Sequence, residues 1–293
     1  MELDKELLNI ASEIKEIISK KQEELSLTFI EDTHTYYMKN LNGEIRSDFP
    51  SISTVLHCFY KEFDATTTKA FKNCEGNKEK ETALLQEWAD AGTYASHMGS
   101  RVHYLLEKHF IDLYGSYKEV RQPIFDCDEE QTKNGDGMIA AGKKFIDLMH
   151  ERGAVLLDTE IVLGSPELGI VGQPDKVLLM RNKNGEIGIL ITDWKSNKKK
   201  NLVTQPWTKK MLEPFTFLED TALSHYKLQL NFYAKILLNM LKGSKYEDLP
   251  LLGCIIVHLE SDGEFTEYRV PRNITEIIMD MDMSQYLPKL KSH

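Results

Sequence analysis

Asp175, Asp193 and Lys195 are the residues best suited to chemistry. Asp175 follows Pro174 in the stretch IVGQPDKV, while Asp193 and Lys195 close the stretch IGILITDWK. Both stretches read as β-strands. Alternation puts Ile187, Ile189, Ile191, Asp193 and Lys195 on one face of the later strand, with Leu190 and Trp194 on the other. Both faces are largely apolar, so helices are expected to cover both. An acid and a lysine on such a face cost free energy unless they are paired or bound to a metal. A buried Asp–Lys ion pair at a strand end is the plainer alternative. A second carboxylate on the neighbouring strand changes the balance, because two adjacent anions repel and a divalent cation relieves them. Hard oxygen ligands suit magnesium or manganese. Such an ion, with an ammonium alongside, can activate a water beside a phosphate.

Whether the acids meet depends on the connection, which contains Asn184-Gly185. A two-residue turn sets Asp175 opposite Trp194 and puts the acids on opposite faces. A three-residue loop over 183–185, with Gly185 left-handed, sets Asp175 opposite Asp193. The second geometry is the expectation.

Two helical segments add candidates. In GSRVHYLLE, His103 and Glu107 are four apart and share a face. As a ligand, His103 would tilt the metal preference toward manganese. Glu107 would then orient it from behind. A hydrogen-bonded structural histidine and a helix-surface pair are the plainer alternatives. In HYKLQLNFYAKIL, Tyr226, Gln229 and Tyr233 form a polar-aromatic stripe, while Leu228, Phe232 and Leu237 face the core. Packing alone accounts for such a stripe. Its functional reading has Gln229 holding the attacking water or a phosphate and a tyrosine stacking on a base. Lys198, Lys199 and Lys200 follow the later strand, with Lys209 and Lys210 soon after. On a chain of net charge −10 this is local positive charge, suited to nucleic acid if not simply solvated.

These residues need a scaffold. The pattern predicts an amphipathic helix over 3–25, a hairpin over 26–38 and 44–48 around Asn42-Gly43, and a short helix over 53–60. Residues 61–80 read as loop. Helices follow over 81–96 and 100–113, divided near Gly99, and over 136–152. The acidic stretch DCDEEQ between them lacks the spacing of a calcium loop. Strands are expected over 155–163, 169–180 and 185–195, then a long helix over 222–241, strands over 251–259 and 264–270, and a helix over 274–281. Helix, three strands, helix, strand suggests an α/β sandwich with a mixed sheet. Residues 1–97 are expected to form a mainly helical module with a hairpin, and 98–293 the core.

At 293 residues, 41% of them apolar, the chain is long enough for a sizeable globular core. The longest apolar stretch, 249–259, is too short to span a bilayer, and no targeting pattern opens the chain. A cytoplasmic protein is expected (host cytoplasm if viral) with no membrane partner. Cys58, Cys74, Cys127 and Cys254 form no CxxC pair, which disfavours a zinc ribbon and suggests reduced thiols. There is no GxxxxGK[ST] and so no ATP site of that kind.

Taken in order, GSRVH, IVGQPDKV, ITDWK and QLNFY resemble the PD-(D/E)xK nuclease superfamily. The QxxxY element narrows the resemblance to the RecB-like branch. That branch includes the RecB nuclease domain, CRISPR adaptation nucleases, the mitochondrial genome-maintenance exonuclease and phage exonucleases; FPSISTVL resembles a segment common in the last. The resemblance spans residues 99–259 and implies a restriction-endonuclease-like αβββαβ core. It implies His103, Asp175, Asp193 and the carbonyl of Trp194 as ligands of Mg²⁺ or Mn²⁺, with Glu160 near the ion. It further implies Lys195 as the catalytic lysine and Gln229 and Tyr233 as the branch-specific pair. The four-cysteine iron–sulfur cluster of some relatives is not expected, because only Cys254 lies beyond residue 127. The implied activity is a DNA exonuclease on single strands or free ends that leaves 5′-phosphates, with a recombination or replication protein as a candidate partner. A structure-specific endonuclease of the same chemistry and an inactive nucleic-acid-binding module are the alternatives.

Overall fold

The computed structural model describes residues 4–61, 64, 66, 68–74, 76–115, 120, 122–197, 199–203 and 209–290. Lys198 lies outside them.

Helix α1 (Lys5–Glu24) begins at Asp4, whose carboxylate accepts from the amides of Glu6 and Leu7. Leu7, Ala11, Ile14 and Ile18 form its buried stripe. Strands β1 (Thr28–Ile30), β2 (Thr35–Lys39) and β3 (Ile45–Arg46) make a small antiparallel sheet. The expected turn at Asn42-Gly43 joins β2 to β3, with Gly43 at φ +82°. A short helix, α2 (Ile52–Leu56), starts from the side chain of Ser51. Within the stretch expected as loop, α3 (Lys69–Lys72) forms and the next helix begins.

That helix, α4 (Lys78–Tyr114), corrects the expected pair over 81–96 and 100–113. It runs unbroken through Gly99 and ends at Gly115, which is left-handed at φ +66°. The expected boundary at 97/98 therefore falls inside one helix. Moreover, α1, β2 and α2 contribute to the same buried cluster as the main sheet. Helix α5 (Glu129–Glu151) starts well before the expected 136. Asp128 and Gln131 close a capping box there, so the acidic stretch is a helix start.

Strand β4 (Val155–Thr159) is followed by β5 (Leu163–Ser165), β6 (Ile170–Gly172), β7 (Lys176–Arg181) and β8 (Ile187–Lys195). Two expected strands are thus each divided. The first breaks at Glu160, whose φ of +45° ends the extended run, and the second breaks at Gln173–Asp175. After β8 come α6 (Lys199–Val203), α7 (Ala222–Met240), β9 (Leu251–Leu259), β10 (Phe265–Arg269), α8 (Arg272–Asp280) and α9 (Leu287–Leu290). The main sheet has the order β10-β9-β8-β7-β4. It is mixed: β8 and β9 are parallel across the α7 crossover, and the other pairings are antiparallel.

Strand β8 is buried over all but its ends. On one face Ile189 and Ile191 pack with Leu228, Phe232 and Ile236 of α7. On the other, Leu190 and Trp194 pack with Phe110 of α4 and Phe145 of α5. The architecture is α/β, with helices on both faces of a mixed five-stranded sheet. Among the described residues no helix is long and apolar enough to cross a membrane.

Candidate active site

The β7–β8 pairing runs Val177↔Ile191 and Lys176↔Thr192. One step further along this register, Asp175 faces Asp193. The three-residue loop produces it: Asn182 and Glu186 close the hairpin at 2.9 Å, and Gly185 is left-handed at φ +81°. Asp175 lies just outside β7, where the chain bends after Pro174.

Three potential ligand atoms, from His103, Glu160 and Asp175, lie within 4.8 Å of one another. Ligands on opposite sides of a magnesium ion are about 4.2 Å apart, a spacing of the same order. Each comes from a different element: His103 from the middle of α4, Glu160 from the end of β4, and Asp175 from the start of β7. His103 Nδ1 is 3.3 Å from Asp175 Oδ2. The amide of Trp194 donates to the same oxygen at 3.3 Å. The Trp194 amide therefore faces the cluster, while its indole is buried on the opposite side of the sheet. One imidazole and several hard oxygens fit Mg²⁺ or Mn²⁺.

Glu160 is more central than its sequence suggested. Its left-handed backbone conformation is uncommon outside glycine and costs about 1 kcal/mol or more. It is held by the Glu160 amide donating to Asp175 O at 3.0 Å, and by Gln173 Nε2 donating to Glu160 O at 3.1 Å.

Asp193 does not join the three-residue group. Its Oδ2 is 2.7 Å from Lys195 Nζ, at ion-pair distance but without hydrogen-bond alignment. Two neighbouring carboxylates repel, and the Lys195 ammonium beside Asp193 offsets that repulsion. Burial, with Asp175 nearby, pushes its carboxyl up to about 7. Asp175 moves the other way: burial raises it, but the charges of Lys176 and Lys195 and the Trp194 amide together pull it below the ordinary range. Burial holds the imidazole of His103 below its usual range, leaving it neutral and ready to ligate. Burial also works against the charge on Lys195, yet Asp193 and Asp175 outweigh it and keep the ammonium protonated.

Lys195 Nζ sits 4.2 Å from the ring centre of Tyr226, so one face of that ring, expected to stack on a base, carries the lysine instead. Tyr226 Oη also reaches Asn197 Oδ1 at 3.4 Å. Gln229 Nε2 donates to Tyr233 Oη at 3.0 Å. Burial and the two aspartates raise the Tyr233 phenol, which therefore stays protonated. Glu107 corrects the expected link to His103, since its carboxylate accepts from the Thr159 hydroxyl at 2.7 Å. The expected basic patch is partly neutralised: Lys199 pairs with Glu260 at 3.1 Å, while Lys200 is exposed.

Lys176 was not anticipated. Its side chain is wholly buried, 3.8 Å from Asp175 Oδ2 and 5.1 Å from the Trp194 ring centre, and its Nζ makes no hydrogen bond. The signal was present: a lysine opening the apolar run VLLM, on the same face as Leu178 and Met180. Nor was the cleft of about 640 Å³ beside the cluster anticipated. His103, Glu107, Glu160 and Gln173 line it together with Phe29, Glu31 and His34 from the β1–β2 region and Ser100 and Tyr104 from α4.

No family model and no curated protein matches the chain. Among solved structures, one described as the crystal structure of SSO0001 is 14% identical over 71% of this chain and 84% of its own. The TM-score is 0.25, a superposition too loose to bear on fold or function.

Proposed function

We propose that this chain is a metal-dependent phosphodiesterase of the PD-(D/E)xK type, a DNA exonuclease acting on single strands or free ends. The observation that carries the reading is the meeting of Asp175 with Asp193 and Lys195 through the β7–β8 register, with His103 and Glu160 within reach of Asp175. The order helix, β4, β7, β8, α7, β9 supports a restriction-endonuclease-like αβββαβ core.

His103, Glu160, Asp175, Asp193 and the Trp194 carbonyl would hold Mg²⁺ or Mn²⁺. A bound ion would lower the pKa of a coordinated water and withdraw charge from the scissile phosphate. Lys195, kept charged by its acidic neighbours and steadied on Tyr226, offsets negative charge building on phosphorus. That charge also makes it a poor base, so it acts by orientation and electrostatics. Gln229, bonded to Tyr233, presents an amide on the same side of the sheet to orient water or phosphate. Attack in line with the departing 3′-oxygen leaves a 5′-phosphate.

The test is digestion of 5′- and 3′-labelled DNA oligonucleotides, single-stranded and duplex, with Mg²⁺, Mn²⁺ or EDTA. Release of labelled fragments only with metal is expected. Wild-type protein that leaves every substrate intact with either metal would end the reading.

A further inference from the structure

We propose that the cleft beside the ligand cluster is a stacking slot for one unpaired nucleobase, with His34 as its substrate-contacting residue. The proposal rests on the nuclease reading and names the form of nucleic acid that it takes.

Aromatic rings line both walls. Phe29 and His34 stand on the hairpin wall and Tyr104 on the α4 wall, the helix that carries His103. The His34 ring stands edge-on to Phe29, with centroids 5.1 Å apart at 88°, and near-perpendicular to Tyr36 at 6.3 Å. Those two rings fix its plane, while the residue itself is exposed.

Backbone conformation points to the same place. Among the described residues, three non-glycines have positive φ: Ser26, His34 and Glu160. Two of them, His34 at +50° and Glu160 at +45°, line this one cleft. Glycine would adopt the His34 conformation at lower cost, yet the chain places a histidine there. Local strain gathers where a side chain has to be aimed. The shared cleft places this imidazole on the path to Glu160 and His103. A planar heterocycle can stack on rings such as these, and stacking needs no particular base. A paired base cannot enter without leaving its partner, so the slot favours a frayed or single-stranded end.

The test uses His34→Gly, which removes the ring and relieves the backbone, and His34→Tyr, which restores a flat ring. Single-stranded oligonucleotides carrying one abasic site, walked across successive positions, are digested beside intact ones. In wild type, one position near the cut should lower kcat/KM by about fivefold or more, the loss expected for one stacked base. His34→Gly should show that loss on intact DNA, with no further loss at the same abasic position, and His34→Tyr should recover most of it. Equal kcat/KM for His34→Gly and wild type at every position would overturn the slot and leave the nuclease reading standing. If wild type cuts nothing, the slot is judged by titrating single-stranded DNA containing 2-aminopurine. Quenching by wild type but not by His34→Gly supports it, and no quenching by either protein overturns it.

Discussion

Replacing Asp193 with asparagine should make the metal-free protein more stable, and only at neutral or alkaline pH. Asp193 is 5% exposed at its side chain, and its carboxyl is raised from an ordinary 3.8 to about 7, first by burial and then by Asp175. Between those values the folded state holds a proton that the unfolded chain has released. This group's contribution to stability therefore falls as pH rises through that window and is flat above about 7. A shift of about 3 units is worth roughly 4 kcal/mol at pH 8. Asparagine removes that cost but takes away the partner of Lys195, which returns about 1–2 kcal/mol of it. A net gain of about 2 kcal/mol remains. With an unfolding entropy of about 2.1 cal/mol/K per residue, this raises Tm by roughly 3 °C. The assay is thermal unfolding in EDTA at pH 8 and pH 4.5, where the gain should nearly vanish. Adding Mn²⁺ should reverse the order at pH 8, because only wild type keeps the full ligand set. An Asp193→Asn variant less stable than wild type in EDTA at pH 8, or equally shifted at both pH values, would refute the idea that this carboxylate is held at a cost.

Three further substitutions probe other parts of the site and its frame. Glu160→Gln should weaken Mn²⁺ binding by about 10–100-fold, measured by calorimetry, with the fold retained. Gly172→Ala would place a Cβ 2.6 Å from Tyr233 Cε1, pushing that ring off Gln229. It should cost about 1–3 kcal/mol of stability and lower kcat more than it changes KM. Lys235, buried on α7, donates to the carbonyls of Ile278, Met279 and Met281 at the end of α8. Lys235→Met should lose about 1–3 kcal/mol in urea unfolding and leave nuclease activity unchanged.

Much of this was legible in the chain. The connection at Asn184-Gly185 allowed two registers, and the one that joins Asp175 to Asp193 was expected because it brings the carboxylates together; the left-handed Gly185 and the β7–β8 pairing have that register. The two faces of β8 followed from alternation. What was misread depends on features that no short window carries. One glycine in a helix costs only about 1 kcal/mol, so α4 runs through Gly99 and sets His103 against the sheet as part of a rigid rod. The resemblance put Glu160 near the ion, but its break in the strand was not foreseen, because a left-handed φ leaves no mark in composition. Its place beside His103 and Asp175 comes from bonds of its backbone to Asp175 and Gln173. The pairing of Asp193 with Lys195 at 2.7 Å depends on two side chains that share one face of β8. The cleft sets the hairpin wall of Phe29 and His34 with the α4 wall of Tyr104, and these segments are far apart in sequence.

The central claim, that His103, Glu160 and Asp175 form a cation site beside Asp193 and Lys195, is tested most directly by diffraction from crystals soaked in Mn²⁺. An anomalous peak bounded by the His103 ring and the two carboxylates, lost in Asp175→Ala, is the predicted result. No peak there at millimolar Mn²⁺, or one elsewhere with these three side chains unligated, would contradict it.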